Sequence, residues 1–476
     1  MTFKQPKEKI IDETTPSRYY PVYVTYISIF FLLLTSGSNV GWSSPMIQKL
    51  NRTEDNPIGP LTEDERSWVV SISILGTLTG SLICGGLGQI LGRKILITAM
   101  GIPYVIFYVT IAFAKELWLL LLARFIGGLS AGGLLAVLPL YISEIADFNM
   151  RGRLFVFICV SSNLGTLITY STAPFISFFW YHICNVALPM IFLILFPIFA
   201  LESPYYIVQK DPVRSEQILK KLRGNSDVTK EIERIKMAHQ TTSNMNLLEV
   251  FRTKETRKAL LIMWGLSTFL MITGYVVVMS YTQLIFESAG AYWSPEVQSI
   301  ILSAFQVFAS LLSSLFADRF GRKSLFAVSF SALAFSEVAF GTYLIFKDNG
   351  SDVSNYNKWL PILSLMICIG ASSFLSIAPS TAGELFSLKA KNVATAMCTF
   401  YSGMLGFLTT LLFQKIKNAI GLGQTFLMFA AFSICATIFV LTVMIETKGK
   451  TLEQIQDELG SVKAKKSNGR PITFIS

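Results

Sequence analysis

Long apolar runs, separated by short polar turns, leave this chain few folds to choose from. About twelve of them reach the roughly 18 to 25 residues that a helix needs to cross the hydrocarbon of a bilayer. They lie near 22–43, 67–88, 95–114, 117–142, 154–176, 183–201, 259–284, 297–316, 324–346, 359–385, 393–413 and 424–445. Composition agrees: 52% of residues are hydrophobic and 15% charged, a balance uncommon in soluble domains. The expected fold class is an all-α polytopic membrane protein with twelve transmembrane helices. A polar stretch, MTFKQPKEKIIDETTPSR, precedes a first run too long for a cleaved leader, and is expected to stay in place.

Lys and Arg set the orientation. With a cytosolic N-terminus and alternating spans, about 31 of the 40 basic residues fall on the cytosolic side. Both termini are then cytosolic, and the net charge of +10 is a topology signal that implies no nucleic-acid partner. A basic surface also suits an anionic lipid bilayer. Two Asn-X-Ser/Thr triplets, at Asn51 and Asn349, fall in loops that this topology makes extracellular and are candidate glycosylation sites. Cys84, Cys159, Cys184, Cys368, Cys398 and Cys435 lack metal-ligand spacing and read as small buried apolar side chains. His182, expected in a loop, and His239, expected in a cytosolic segment, form no cluster of the kind a membrane enzyme needs. Neither an enzyme, nor a metal, nor a cofactor is expected.

The turn Gly92-Arg93-Lys94 returns as Gly321-Arg322-Lys323. Glu144 after the fourth run is echoed by Glu384 after the tenth, and Glu202 after the sixth by Glu446 after the twelfth. These echoes keep one order at offsets of roughly 230 to 245 residues, the mark of a parallel duplication. The expected organisation is a tail (1–21), a six-helix half (22–202), a cytosolic helical linker (203–257), a second six-helix half (258–446) and a cytosolic C-terminal helix and tail (447–476). Ser203 with Pro204 reads as a helix start. Thr62 with Glu65 and Thr451 with Gln454 read as capping boxes.

These residues carry a resemblance. RFIGGLSAGG (Arg124 to Gly133), PLYISE to Glu144, RG at Arg151, ESP at Glu202, DRFGRK at Asp318, GELF at Glu384 and ETKG at Glu446 are similar to the sugar-porter branch of the major facilitator superfamily. The similarity runs over nearly the full length. GWSSP (Gly41 to Pro45) and LTEDERSWV look most like the insect facilitated trehalose and glucose transporters of that branch. The resemblance implies the major facilitator fold and a cytosolic ion-pair gate that clasps the inner side when the cavity faces outward. Its members here would be Arg93, Lys94, Glu144, Arg151, Glu202, Asp318, Arg322, Lys323, Glu384, Lys391 and Glu446. Arg124 would anchor neighbouring helices. The chain departs from the pattern at Gln89 and Ile90, where acidic and charged residues are usual, at Tyr205 after ESP, and at Lys391, where Arg is common.

A sugar site needs amides and hydroxyls for each solute hydroxyl and an apolar face for the ring. The family's span-7 glutamines, serine and asparagine are here Leu270, Met271, Thr273 and Val276; span 10 lacks its tryptophan, and span 11 has Ser402 where an amide is common. Each lost partner costs on the order of 1–3 kcal/mol, so other groups must substitute. Candidates are Ser36, Ser38 and Asn39; Ser162, Asn163 and Thr166; Thr273; Gln306; Ser372, Ser373, Ser376 and Ser380; and Ser402, although such residues also serve helix packing. Span 1 lacks the acid of family symporters, and Glu337 in span 9 is expected to make a polar contact. The expected function is facilitative uniport of a sugar such as a hexose or trehalose by a monomer in the plasma membrane. A nontransporting sugar sensor and a transporter of a less polar small solute are the alternatives.

Overall fold

A computed structural model describes residues 20–51, 56–146, 151–208, 210–223, 228–229, 231–233, 235, 251, 253–290, 293–317, 320–350, 358–376, 378–386, 390–450 and 452–461. The first half comprises α1 (Tyr20–Gly41), α2 (Ser43–Asn51), α3 (Glu63–Leu91), α4 (Arg93–Ala112), α5 (Leu117–Ile145), α6 (Arg151–Thr172), α7 (Phe178–Asn185) and α8 (Ala187–Phe199). Short helices α9 (Pro204–Ile207) and α10 (Pro212–Leu222) follow. The second half comprises α11 (Lys254–Ile272), α12 (Tyr275–Ala289), α13 (Pro295–Ala317), α14 (Arg322–Asp348), α15 (Leu360–Leu375), α16 (Ala378–Leu385), α17 (Lys391–Ile420) and α18 (Leu422–Val443), before a terminal α19 (Leu452–Ser461). Ten stretches are long and apolar enough to cross a membrane, and the apolar helices Val156–Thr172 and Leu360–Leu375 take the two remaining places among the twelve expected spans.

Local chemistry sets the helix limits. Thr62 and Glu65 form the expected capping box at the start of α3. Ser203 caps α9 with Pro204 in its first turn. Thr451 lies outside the described residues. Two expected spans are each broken into two helices. Between α11 and α12, Gly274 takes φ = 78°, a left-handed conformation that glycine adopts without cost. Between α15 and α16 the cause is Pro379, which has no N–H to offer the Leu375 carbonyl. His182 belongs to a helix rather than the expected loop: it is fully buried in α7, accepting at Nε2 from the Trp42 indole at 2.8 Å.

Two apolar cores follow the halves, one running through α1, α4, α5 and α8, the other through α11, α12, α14, α15 and α18 and taking in Ile47 of α2 and Val70 of α3. A smaller cluster of Val208, Leu219, Val228, Ile232 and Ile235 packs with Tyr205, which gives the departure at that position a packing role. Lipid offers apolar helices no reason to leave it, so close backbone packing must hold them together. The RFIGGLSAGG run of α5 meets this need. A methyl group on Gly128 would stand 2.0 Å from the Ser73 carbonyl oxygen, and one on Gly132 1.8 Å from that of Thr77, both on α3. Arg124, buried on the same helix, ties α5 to its neighbours: Nε donates to Val69 O (3.2 Å), Nη1 to Asn39 O and Oδ1 (3.2 and 3.1 Å) and Nη2 to Ser43 Oγ (2.7 Å). Glu337 makes the expected polar contact, accepting from Ser433 of α18 at 2.7 Å while 2% exposed. Of the cysteines, Cys84, Cys368 and Cys398 are buried as expected and Cys159 is half-buried, but Cys184 and Cys435 are exposed.

This packing makes a direct prediction. Gly132→Ala should destabilise the protein by about 1–3 kcal/mol, read as a lower melting temperature in detergent. Gly85→Ala, with nothing within 4 Å of the added methyl, should melt like the parent. Equal melting of the two variants would contradict the close-packing account.

Candidate functional site

A cavity of about 250 Å³ lies between the halves. Helical spacing accounts for part of its lining: Gln306 and Ser310, and Ser372 and Ser376, stand four positions apart and so share a face. Ser162 and Asn163 come from α6, Gln306 and Ser310 from α13, Ser372 and Ser373 from α15, with Ser376 at that helix's end and Ser36 on α1. Leu33, Leu134, Leu135, Leu138, Pro139 and Ile158 supply an apolar wall. Tyr275, at the start of α12, completes the second half's side. Every one of these side chains is neutral.

Five of the eight residues singled out from sequence thus meet: Ser162, Asn163, Gln306, Ser373 and Ser376. Ser36 and Ser372, also weighed, join them. Three lie elsewhere. Asn39 is 2% exposed, its Oδ1 engaged by Arg124. Thr273 is fully buried at the end of α11, donating to Leu270 O at 3.3 Å. Ser402, half-buried on α17, is not in the lining. Ser38 and Thr166 stitch α1 to α6 through the Gly165 and Gly37 carbonyls, at 3.2 and 3.0 Å. The side chain of Ser380 is outside the described residues. Sequence reasoning missed Tyr275, Cys159 and Ser310. A tyrosine immediately after Thr-Gly, where the span could break, was the available signal for the first.

Hydrogen bonding divides the lining further. Ser310, Ser372, Ser373 and Ser376 each donate to a carbonyl of their own helix, at 2.8, 2.9, 2.9 and 2.7 Å. Each hydroxyl carries one hydrogen, so these serines offer a solute their lone pairs. Asn163 and Gln306 make no protein hydrogen bonds among the described residues. They come from opposite halves and can both donate and accept.

At one end of the cavity stand the two Gly-Arg-Lys turns, wired alike. Glu202 Oε1 accepts from the backbone N–H groups of Arg93 and Lys94, both at 3.0 Å. Glu446 accepts from those of Arg322 and Lys323, at 2.9 and 3.2 Å. A carboxylate at a helix N-terminus is favoured by the exposed N–H groups and the dipole. The glycine lets it approach: a methyl on Gly321 would sit 2.2 Å from Glu446 Oε2, and one on Gly92 2.8 Å from Glu202 Oε2. Arg93 then pairs with Glu144 at 3.2 Å, and Arg322 with Glu384 at 2.9 Å. Ser203 and Thr447 donate to the other oxygens of Glu144 and Glu384. Both ion pairs stay inside their own half. The side chains of Arg151 and Lys391, and all of Asp318, lie outside the described residues.

The opposite end is where the halves hold each other. Glu63 of α3 pairs with Lys417 of α17 at 3.4 Å and accepts from Asn418, and Asp64 stands 3.8 Å from Lys415. Tyr170 donates to Met279 O at 2.9 Å, the Gln283 N–H to Ser44 Oγ at 3.0 Å, and Gln48 to Glu287 at 3.5 Å. Leu135 of α5, which lines the cavity, is 66% exposed. Asn51 and Asn349 are both exposed at the closed end.

Known proteins can now be set beside this geometry. The facilitated trehalose transporter Tret1 of Polypedilum vanderplanki is 28% identical over 97% of this chain and 93% of its own length. Tret1 of Bombyx mori is 30% identical over 89% and 84%. Among solved structures, the inward open conformation of the xylose transporter XylE from E. coli superposes with a TM-score of 0.76 at 20% identity, covering 92% of this chain and all of that one. The sugar (and other) transporter family model matches residues 24–459. A twelve-span helical chain with this match over nearly its whole length belongs to the sugar (and other) transporter family, whose members are membrane transporters and not enzymes.

Proposed function

We propose that this chain moves a neutral sugar, of hexose size, down its own gradient by exposing one central cavity to each side of the membrane in turn. The cavity lining carries this reading. Two free amides from opposite halves, a set of hydroxyl oxygens and an apolar wall suit a polyol with one less polar face. The cavity's 250 Å³ falls below the roughly 300–1,000 Å³ of pockets for drug-sized ligands, which favours one sugar ring over the disaccharide in its relatives' names. The neutral lining favours uniport; Glu337, which accepts from Ser433 of α18, is not among the lining residues.

The same reading orients the chain. The Gly-Arg-Lys end is cytosolic, with both tails, the 203–257 linker and the α19 helix, in agreement with the basic bias. Exposed Asn51 and Asn349 then face outward, where they can be glycosylated in a monomer of the plasma membrane. The described state is closed outside and open to the cytosol. Each exposed outer pair is worth only about 0–1 kcal/mol, so a modest solute-dependent bias can release them. The two inner charge clusters act as preassembled plates that meet when the cavity faces outward.

Two outcomes check this reading. In proteoliposomes, unlabelled hexose loaded inside should accelerate entry of labelled hexose, with no response to an imposed pH gradient. Binding without such countertransport would identify a sensor, and inactivity toward every sugar would remove the substrate class. Glu144→Gln removes the negative charge that pairs with Arg93, and should shift the protein toward the cytosol-open state and slow exchange. Cysteine labelling from each side reads the shift; unchanged accessibility in that variant would contradict a role for the inner plates.

A further inference from the structure

We infer that the Gln414 amide is the release element of the outer seam: it lacks a partner while α3 and α17 are closed on each other, and so favours their parting. This rests on the rocking motion proposed above and names a residue that limits how firmly the outer end shuts.

Gln414 stands on α17, which packs against α3 of the other half. Helix positions three, four and seven apart share a face. On this face Lys417 and Asn418 reach Glu63 of α3, and Phe407 meets the Trp68 ring edge-on at 6.2 Å. Gln414 lies between those contacts, so it faces α3 with the seam closed over it, and is 1% exposed. Neither its Oε1 nor its Nε2 has a hydrogen-bond partner among the described residues. The hydroxyls buried along these helices are already committed. Ser67 donates to Glu63 O at 3.1 Å, Ser71 to Ser67 O at 2.6 Å and Thr410 to Gly406 O at 2.9 Å.

A primary amide carries two donor hydrogens and an accepting oxygen, and burying it unpaired is costly. That cost falls on the closed state alone, since parting of the halves gives the amide to water or to an entering solute. A group penalised in one state shifts the equilibrium toward the other. One turn further out, Asn418 does the reverse: it donates to Glu63 across the seam and holds it shut. Two amides four positions apart on one face thus act with opposite signs. A glutamine that served to pack the helices together would also hold them closed, and its loss would open the seam. The sign of the effect separates the two roles.

The test uses the full-length protein in intact cells, with Cys159, Cys184 and Cys435 replaced by alanine and Ser67→Cys as the reporter. Ser67 is 1% exposed, so a thiol there meets a membrane-impermeant reagent added outside in proportion to the outer-open fraction. Gln414→Met keeps the size of the side chain and removes its polar atoms. It should slow labelling about five- to a hundredfold, the equivalent of one relieved amide. Asn418→Ala should speed labelling by up to about fivefold, the worth of one exposed polar link. In detergent, Gln414→Met should melt at or above the parent's temperature. The inference is overturned if Gln414→Met labels at the parent rate or faster, or melts below the parent. A parent whose labelling answers neither to transported sugar nor to Asn418→Ala overturns the rocking motion itself, whereas a normal response with an indifferent Gln414 overturns this assignment alone.

Discussion

Inside a bilayer no water is present to satisfy a polar group, and each one left without a partner costs several kcal/mol. This constraint orders the whole molecule. Backbone groups are spent within helices. Most intramembrane hydroxyls are spent on nearby carbonyls, as Thr282 is on Val278 and Thr410 on Gly406. The buried Arg124 is satisfied by two carbonyls, an amide and a hydroxyl, with the Trp42 ring 4.6 Å from its guanidinium carbon. Among the described residues, the amides of Asn163 and Gln306 make no protein hydrogen bond, and both line one cavity.

The same constraint drives paired charges to the helix ends, where the proposed change of state would rearrange them. Each Gly-Arg-Lys turn is a rigid assembly, because a carboxylate caps the helix start and an arginine reaches to a second acid. The ion pairs Arg93–Glu144 and Arg322–Glu384 each lie within one half. Among the described residues, the polar contacts that do cross lie at the other end: exposed or half-exposed ion pairs between α3 and α17, and single hydrogen bonds joining α2 and α6 to α12. Strong links within each half and weak links between them are what a rocking motion requires. A small differential affinity for solute is then enough to move the equilibrium.

Much of this was legible in the sequence, and the exceptions share a cause. Run lengths gave the spans, and the echoes at Glu144, Glu202, Glu384 and Glu446 anticipated two charge clusters wired alike. Ser162, Asn163, Gln306, Ser373 and Ser376 could be picked out because uncompensated polar side chains in apolar helices are few. Asn39 looked equally suited, but its partner is an arginine 85 positions away, and periodicity along one helix does not display such a contact. Thr273 and Tyr275 were separated by the backbone: Gly274 turns the chain so that the threonine closes α11 in the core and the tyrosine lines the cavity. The charged residues of the two turns were picked out by type, while the partner of each, Glu144 for Arg93 and Glu384 for Arg322, needed the fold to show it.

The central claim is that the two halves tilt about the cavity, so that one end opens as the other closes. Pulsed electron-spin distance measurements test it most directly, with one label pair spanning α3 and α17 at the closed end and another spanning the two Gly-Arg-Lys turns. Titrating a transported sugar should shift the two distance distributions in opposite directions, lengthening one population as the other shortens. Distances that stay fixed at both ends, or that lengthen and shorten together, would contradict it.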